Sequence, residues 1–168
     1  MANKVVRILG IDPGSVKTGF GVIESDGTRS VHLAHGTIDV AGHDFPVRLG
    51  KIFQEIAALI EEWRPQECAV EDVFMSRNAS SALKLGQARG AAIAAAVNAG
   101  LSVSEYPARL VKQSITGTGG AEKAQVQHMV GVLLNLRQSL QADAADGLAV
   151  ALSHAHWRGQ KLPQAAPR

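Results

Sequence analysis

The chain has 168 residues, 46% of them hydrophobic and 19% charged, a composition that fits one folded domain and excludes disorder as the main state. No window approaches 18 uninterrupted apolar residues, and the only cysteine is Cys68, so a membrane helix, an intramolecular disulfide and a cysteine zinc site are all excluded. The net charge of +2 hides an asymmetry: residues 1–72 sum to −4, residues 73–142 to +5 and residues 143–168 to +1. An acidic first part beside a basic middle fits a polyanion partner next to a metal centre, although a solvated basic face would look the same.

The first residues lack the apolar stretch and cleavage site of a signal peptide, and a reducing cytoplasm is expected. Aromatics make up 4%, too few for a base-stacking platform. Residues 5–11 read as a buried strand, and Asp12-Pro13-Gly14-Ser15 as a turn. Residues 18–24 and 30–40 read as two further strands joined at Asp26-Gly27, completing an antiparallel meander. Leu49, Ile52, Phe53, Ile56, Leu59, Ile60 and Trp63 share one face of a helix over 46–63 that Pro65 stops. A short strand over 67–73 precedes an alanine-rich helix over 80–99, capped by Ser80 or Ser81 and stopped by Gly100. A strand over 101–106 follows, then a helix with Pro107 at its first position. The loop Thr116–Gly120 leads to helices at about 121–135 and 141–156. The order predicts an α/β fold with a mixed sheet covered by helices. Residues 1–157 are expected to form the domain and 158–168 a loose tail.

Four acids stand out by context. Asp12 ends an almost wholly apolar strand, with Gly10, Gly14, Gly19 and Gly21 around it. Glu71 follows Cys68-Ala69-Val70 in a second apolar strand. Asp143 and Asp146 share a helix face among Ala, Leu and Val. Buried carboxylates without nearby bases in sequence need a cation, and hard oxygen donors suit Mg²⁺ or Mn²⁺. Two such ions can drive phosphodiester hydrolysis. Asp12-Pro13-Gly14 by itself is also an ordinary turn.

The segments Gly10-Ile-Asp-Pro-Gly-Ser15 with Thr18-Gly-Phe-Gly-Val22, Val70–Asn78, Ser81–Gly90, Ala121–Met129 and Gln141–Asp146 resemble the RuvC Holliday junction resolvases, in order and over about residues 6–156. The resemblance implies a ribonuclease H-like fold: a five-stranded mixed sheet, an antiparallel meander plus two parallel strands, flanked by helices. It implies a homodimer that makes Mg²⁺-dependent symmetric nicks in four-way junction DNA, leaves ligatable 5′-phosphate ends, and partners the RuvA and RuvB branch-migration proteins. By motif match Asp12, Glu71, Asp143 and Asp146 are the ligands of two metals, with Asp12 between them. Lys112 and Lys123 match basic positions that face the scissile backbone, and Phe74 matches an aromatic that inserts at the crossover. Arg77, which stands where lysine is common, is assigned with Lys84 and Arg89 to DNA contact. Gly147 stands where alanine is more usual and is expected to loosen its helix turn.

The small residues of helix 80–99 suit either packing on the sheet or a dimer interface, which the resemblance favours. Thr116–Lys123 reads as an anion nest or as a flexible loop with Glu122 as a cap. His32, His35 and His43 are expected at the surface, His128 packed on its helix, His154 and His156 on different faces, and Cys68 in the core. Three other functions are open to the sequence: a nuclease of the same fold acting on RNA precursors, an ATP-binding protein of the actin or sugar-kinase type suggested by Asp12-x-Gly14-x3-Thr18-Gly19, and a silent DNA-binding subunit. The segment from Val73 to Gly90 argues against the first, a single such loop in 168 residues against the second, and retention of all four acids against the last.

Overall fold

The structure, a computed structural model, describes residues 4–72 and 78–163. Three antiparallel strands open the chain: β1 (Val6–Asp12), β2 (Lys17–Ser25) and β3 (Ser30–Asp39). The β2–β3 turn is built on Asp26, whose Oδ1 accepts from the backbone N–H groups of Thr28 (2.8 Å) and Arg29 (2.7 Å), with Gly27 at φ 91°. Helix α1 (Phe45–Trp63) ends in a left-handed residue, Arg64, just ahead of Pro65. Strand β4 (Glu67–Asp72) pairs parallel with β1 from Ile8↔Glu67 to Ile11↔Val70. Helix α2 (Ala79–Asn98) leads to β5 (Ser102–Pro107), parallel to β4. Helices α3 (Ala108–Thr116), α4 (Lys123–Leu133) and α5 (Ala142–Trp157) complete the chain. The sheet order is β3-β2-β1-β4-β5, a mixed sheet as the element order predicts and the five-stranded, ribonuclease H-like arrangement that the resemblance implies.

Strand alternation divides the core into two layers. Leu9 and Ile11 of β1, Val22 of β2 and Cys68 and Val70 of β4 meet Ile52, Ile56 and Ile60 of α1 and Ala88, Ala92 and Ala96 of α2. Val6, Ile8, Ile23, Ala69 and Tyr106 point the other way, against α3, α4 and α5. Every residue in register with Ala69 on β4, Glu67 and Glu71 included, therefore faces α5.

Helix α5 lies directly on the strand backbones. A Cβ on Gly10 would sit 2.4 Å from the backbone of both Ala151 and Gly147, one on Gly19 would sit 1.8 Å from the carbonyl oxygen of Asp143, and one on Gly21 would sit 2.5 Å from the Leu148 side chain. Gly147 completes the fit from the helix side, because its own Cβ would come within 2.5 Å of the Phe20 backbone. The glycine thus serves close approach and does not loosen the turn: α5 runs unbroken through it.

Far from the strand ends that carry Asp12 and Glu71, a polar network ties α5 to β4 and β5. His154 is buried. Its Nε2–H donates to Glu67 Oε2 (2.6 Å), and its Nδ1 accepts from the Tyr106 hydroxyl (2.7 Å). That tautomer follows from the carboxylate, which only accepts. Arg158 donates to both oxygens of Glu67 at 2.7 and 2.6 Å, so the first residue of the expected tail is fastened to β4. Residues 164–168 lie outside the described residues. Burial holds the His154 pKa below its ordinary 6.5, and the Arg158 hydrogen bonds hold Glu67 below 4.5.

Several local expectations are corrected. Helix α2 is capped by Asn78, whose side chain accepts the Ser80 N–H at 2.8 Å, and not by Ser80 or Ser81. Pro107 ends β5 and takes the N-cap position of α3, one residue before its first turn. Helix α4 starts at Lys123 and stops at Leu133, with Asn135 in the left-handed region. His128 is exposed instead of packed. Glu122 occupies the N-cap position of α4 without a side-chain cap hydrogen bond. Cys68 is fully buried and His156 is exposed on a different face from His154, as expected.

Two measurements check this layer. Gly10→Ala forces α5 off the sheet and should lower the unfolding free energy by about 2 kcal/mol or more, read by urea denaturation; an unchanged midpoint would contradict the close contact. Because the folded-state pKa of His154 is depressed, the stability held by its neutral ring is present above about pH 6.5 and is lost as pH falls. The stability difference between wild type and His154→Asn should therefore shrink from pH 7 to pH 5, with a slope of up to about 1.4 kcal/mol per pH unit; a difference that is flat with pH would contradict it.

Candidate active site

Asp12 ends β1 and Glu71 stands near the end of β4, in adjacent parallel strands. Both fall in register with residues that face α5, Gly10 and Ala69. Asp146, in the second turn of α5, meets them there. These three acids, Lys112 of α3 and Lys123 of α4 line a cleft of about 270 Å³, walled on its apolar side by Ala108, Val111, Val126 and Ala149. Five elements, β1, β4, α3, α4 and α5, thus converge at the open end of the β1–β4 pair.

The carboxyls of Asp12 and Glu71 are hydrogen-bonded to each other, which requires that one of the two carry a proton. Burial pushes the Asp12 pKa well above the usual carboxylate range, and the charges of Glu71 and Asp146 push it further. Burial also raises Glu71, with the Asp146 charge adding to it and Lys112 and Lys123 opposing. Lys123 Nζ lies 3.0 Å from Asp146 Oδ2, and this hydrogen bond raises the lysine pKa.

The chemistry of the donor set decides whether a cation belongs here. Among the described residues no group of three or more His, Cys, Asp or Glu side chains is drawn together as a ligand set: Asp12 is bonded to Glu71, and Asp146 to Lys123. The residues nevertheless fit a hard divalent cation. They offer only oxygen, they are mostly buried, they repel one another, and a proton holds together two carboxylates that a shared cation would also bridge.

The sequence-predicted residues divide as follows. Asp12, Glu71, Asp146, Lys112 and Lys123 are brought together. Asp143 does not line the cleft. It lies one helical turn earlier, with its carbonyl against Gly19, although its charge is close enough to raise the Lys123 pKa. Lys84 is exposed on α2, with Nζ 5.9 Å from the Phe45 ring centroid. Arg89 lies on the opposite face of the sheet, with Nη2 3.4 Å from Asp72 Oδ1 and also bonded to Glu105. Phe74 and Arg77 lie outside the described residues.

Sequence reasoning did not assign Thr18 a part in this site. It is buried, and its hydroxyl both accepts the Gly14 N–H and donates to the Gly14 carbonyl, each at 3.3 Å. The Gly14-x3-Thr18 spacing therefore closes the turn that follows Asp12 upon itself. The apolar wall was also missed, because Ala108, Val111 and Ala149 carry no chemical signature in sequence.

Residues 8–154 match the family model described as crossover junction endodeoxyribonuclease RuvC. A crossover junction endodeoxyribonuclease RuvC from Citrifermentans bemidjiense is 59% identical over 153 residues, 90% of this chain and 93% of that protein. The structure of Thermus thermophilus RuvC in complex with a Holliday junction substrate superposes with a TM-score of 0.81 at 31% identity, covering 91% of this chain and 94% of the other. The yeast mitochondrial Holliday junction resolvase Ydc2 shares the fold, with a TM-score of 0.67 at 12% identity over 95% of this chain and 83% of its own.

Crowded buried carboxyls carry a stability cost that a neutral isostere removes. Asp12→Asn should therefore raise the unfolding free energy by about 1 kcal/mol or more at pH 8 in EDTA. Urea denaturation checks it, and a variant less stable than wild type would contradict the electrostatic description.

Proposed function

Because the chain belongs to the RuvC family of crossover junction endodeoxyribonucleases, we propose that it resolves Holliday junctions by hydrolysing phosphodiester bonds at the cleft of Asp12, Glu71 and Asp146. The observation that carries the reading is the set of three mutually repelling carboxyls at the end of two parallel strands, flanked by two lysines. An acidic floor with basic edges suits a cation below and a phosphate above. The junction complex of Thermus thermophilus RuvC supports the substrate.

Mg²⁺ is the proposed cofactor, two ions per site with Mn²⁺ as a substitute, held by Asp12, Glu71, Asp143 and Asp146. The chemistry such ions supply is a lowered pKa for water and neutralisation of charge on phosphate oxygens. The chain's own residues do the rest. Lys112 and Lys123 bring positive charge to the scissile phosphate, where charge develops. The apolar wall of Val111, Val126 and Ala149 keeps the acids out of bulk solvent. Phe74 enters the crossover, and Arg77 and Lys84 contact the phosphate backbone.

Symmetric nicking of two strands of like polarity, leaving 5′-phosphate and 3′-hydroxyl ends, needs two sites related by a two-fold axis, and hence a homodimer. Ala88, Ala92, Ala95 and Ala96 of α2 are buried within the chain, which leaves Leu83, Gly86, Gly90 and Val97 outward for a second copy. RuvA and RuvB are the proposed partners, and the bacterial cytoplasm the proposed location; no helix among the described residues is long and apolar enough to cross a membrane.

A nicking assay with Mg²⁺ tests the proposal on mobile and immobile four-way junctions and on linear duplex of the same sequence. Paired symmetric nicks are expected on the mobile junction alone, and Asp12→Asn should slow them by about 10³-fold or more while retaining junction binding. Cleavage by the variant at the wild-type rate, or equal cleavage of duplex, would refute it. Lys112→Ala should reduce the slope of log K against log salt by about one phosphate contact; an unchanged slope would remove Lys112 from the interface.

A further inference from the structure

We propose that Arg89 is a positioning residue that fixes Glu71 from behind the sheet, not a contact to DNA phosphate. Glu71 needs such a support because of where β4 loses its neighbours. Its ladder with β1 ends at Ile11↔Val70, while pairing with β5 continues to Asp72↔Pro107. Glu71 therefore stands one residue beyond the last β1 pair. Arg89 Nε approaches the Glu71 carbonyl oxygen at 3.4 Å. The side chain of Glu71 faces the cleft, and its carbonyl is steadied by a residue rooted in α2.

Strand parity places the rest of the clamp. Asp72 shares a face with Val70, and Glu105 with Val103, both of which pack toward α1 and α2. Arg89 Nη2 lies 3.4 Å from Asp72 Oδ1 and also pairs with Glu105. One guanidinium thus joins the ends of β4 and β5 across the face opposite the cleft. The Arg89 side chain is 20% exposed. Its Nε and Nη2 are already committed to a carbonyl and two carboxylates, an environment that favours a cation held in place over one offered to phosphate. Lysine cannot reproduce the arrangement, because a point ammonium lacks the planar fork that reaches a backbone carbonyl and two side chains together.

The inference rests on the nuclease reading, and its test separates the two. Mn²⁺ affinity without DNA is measured by calorimetry for wild type, Arg89→Gln and Arg89→Lys. Junction affinity is measured against salt, and single-turnover cleavage at saturating Mg²⁺. For a positioning role, Arg89→Gln should weaken Mn²⁺ binding and slow cleavage by about 10-fold or more, with junction affinity and its salt slope unchanged, and Arg89→Lys should rescue neither fully. A salt slope lowered by about one with wild-type Mn²⁺ affinity would make Arg89 a phosphate contact and overturn the proposal. If Arg89→Gln does not fold, the double variant Asp72→Asn with Glu105→Gln releases the clamp without removing a base. Weaker Mn²⁺ binding in it supports the proposal, and wild-type Mn²⁺ binding overturns it. Wild type that binds Mn²⁺ but leaves junctions intact would refute the nuclease reading while leaving the Arg89–Glu71 coupling to metal measurable.

Discussion

Helix α5 lies on the backbones of β1 and β2 at a distance that no Cβ would permit, and the geometry of the cleft depends on that contact. Gly10, Gly19 and Gly21 clear a track on the sheet, and Gly147 clears the matching point on the helix. With the helix so placed, Asp146 comes within electrostatic reach of the ends of β1 and β4. The far end of the helix is fastened separately, through His154 and Arg158 to Glu67. Glu67 and Glu71 lie on the same face of the same strand, so β4 holds α5 with one acid and meets it across the cleft with the other.

The cleft concentrates like charge where burial makes charge costly. Asp12 and Glu71 accommodate this by hydrogen bonding to each other, and Asp146 by pairing with Lys123. Each is a compromise that a divalent cation would displace. Stability is set aside at the proposed site of chemistry and restored by the packed layers beside it.

Much of this was legible in the chain itself. Asp12 and Glu71 stood out because an acid in an apolar strand has an energetic cost that needs a reason, and the strand and helix order followed from periodicity. What was not legible depended on distance or on facing. Glu67 and His154 are 87 residues apart, and nothing local to either suggests the other. Arg89 sits in a basic segment, and charge alone does not say which side of the sheet a guanidinium will occupy; only the register of β4 with β5 separates Glu71 from Asp72 and Glu105. Gly147 read as a weak point in a helix because the partner that requires it, the Phe20 backbone, lies more than a hundred residues earlier. Asp143 carried the same sequence signal as Asp146, yet its backbone rests on Gly19 and its side chain stays outside the cleft lining.

The central proposal is that the cleft lined by Asp12, Glu71 and Asp146 takes up divalent cations. Anomalous diffraction from crystals soaked in Mn²⁺ tests it most directly. The account predicts a peak in the cleft ligated by Asp12 and Glu71, with the hydrogen bond between these two carboxyls replaced. A cleft without a peak, with Asp12 and Glu71 still bonded to each other while Mn²⁺ binds elsewhere on the chain, would contradict it.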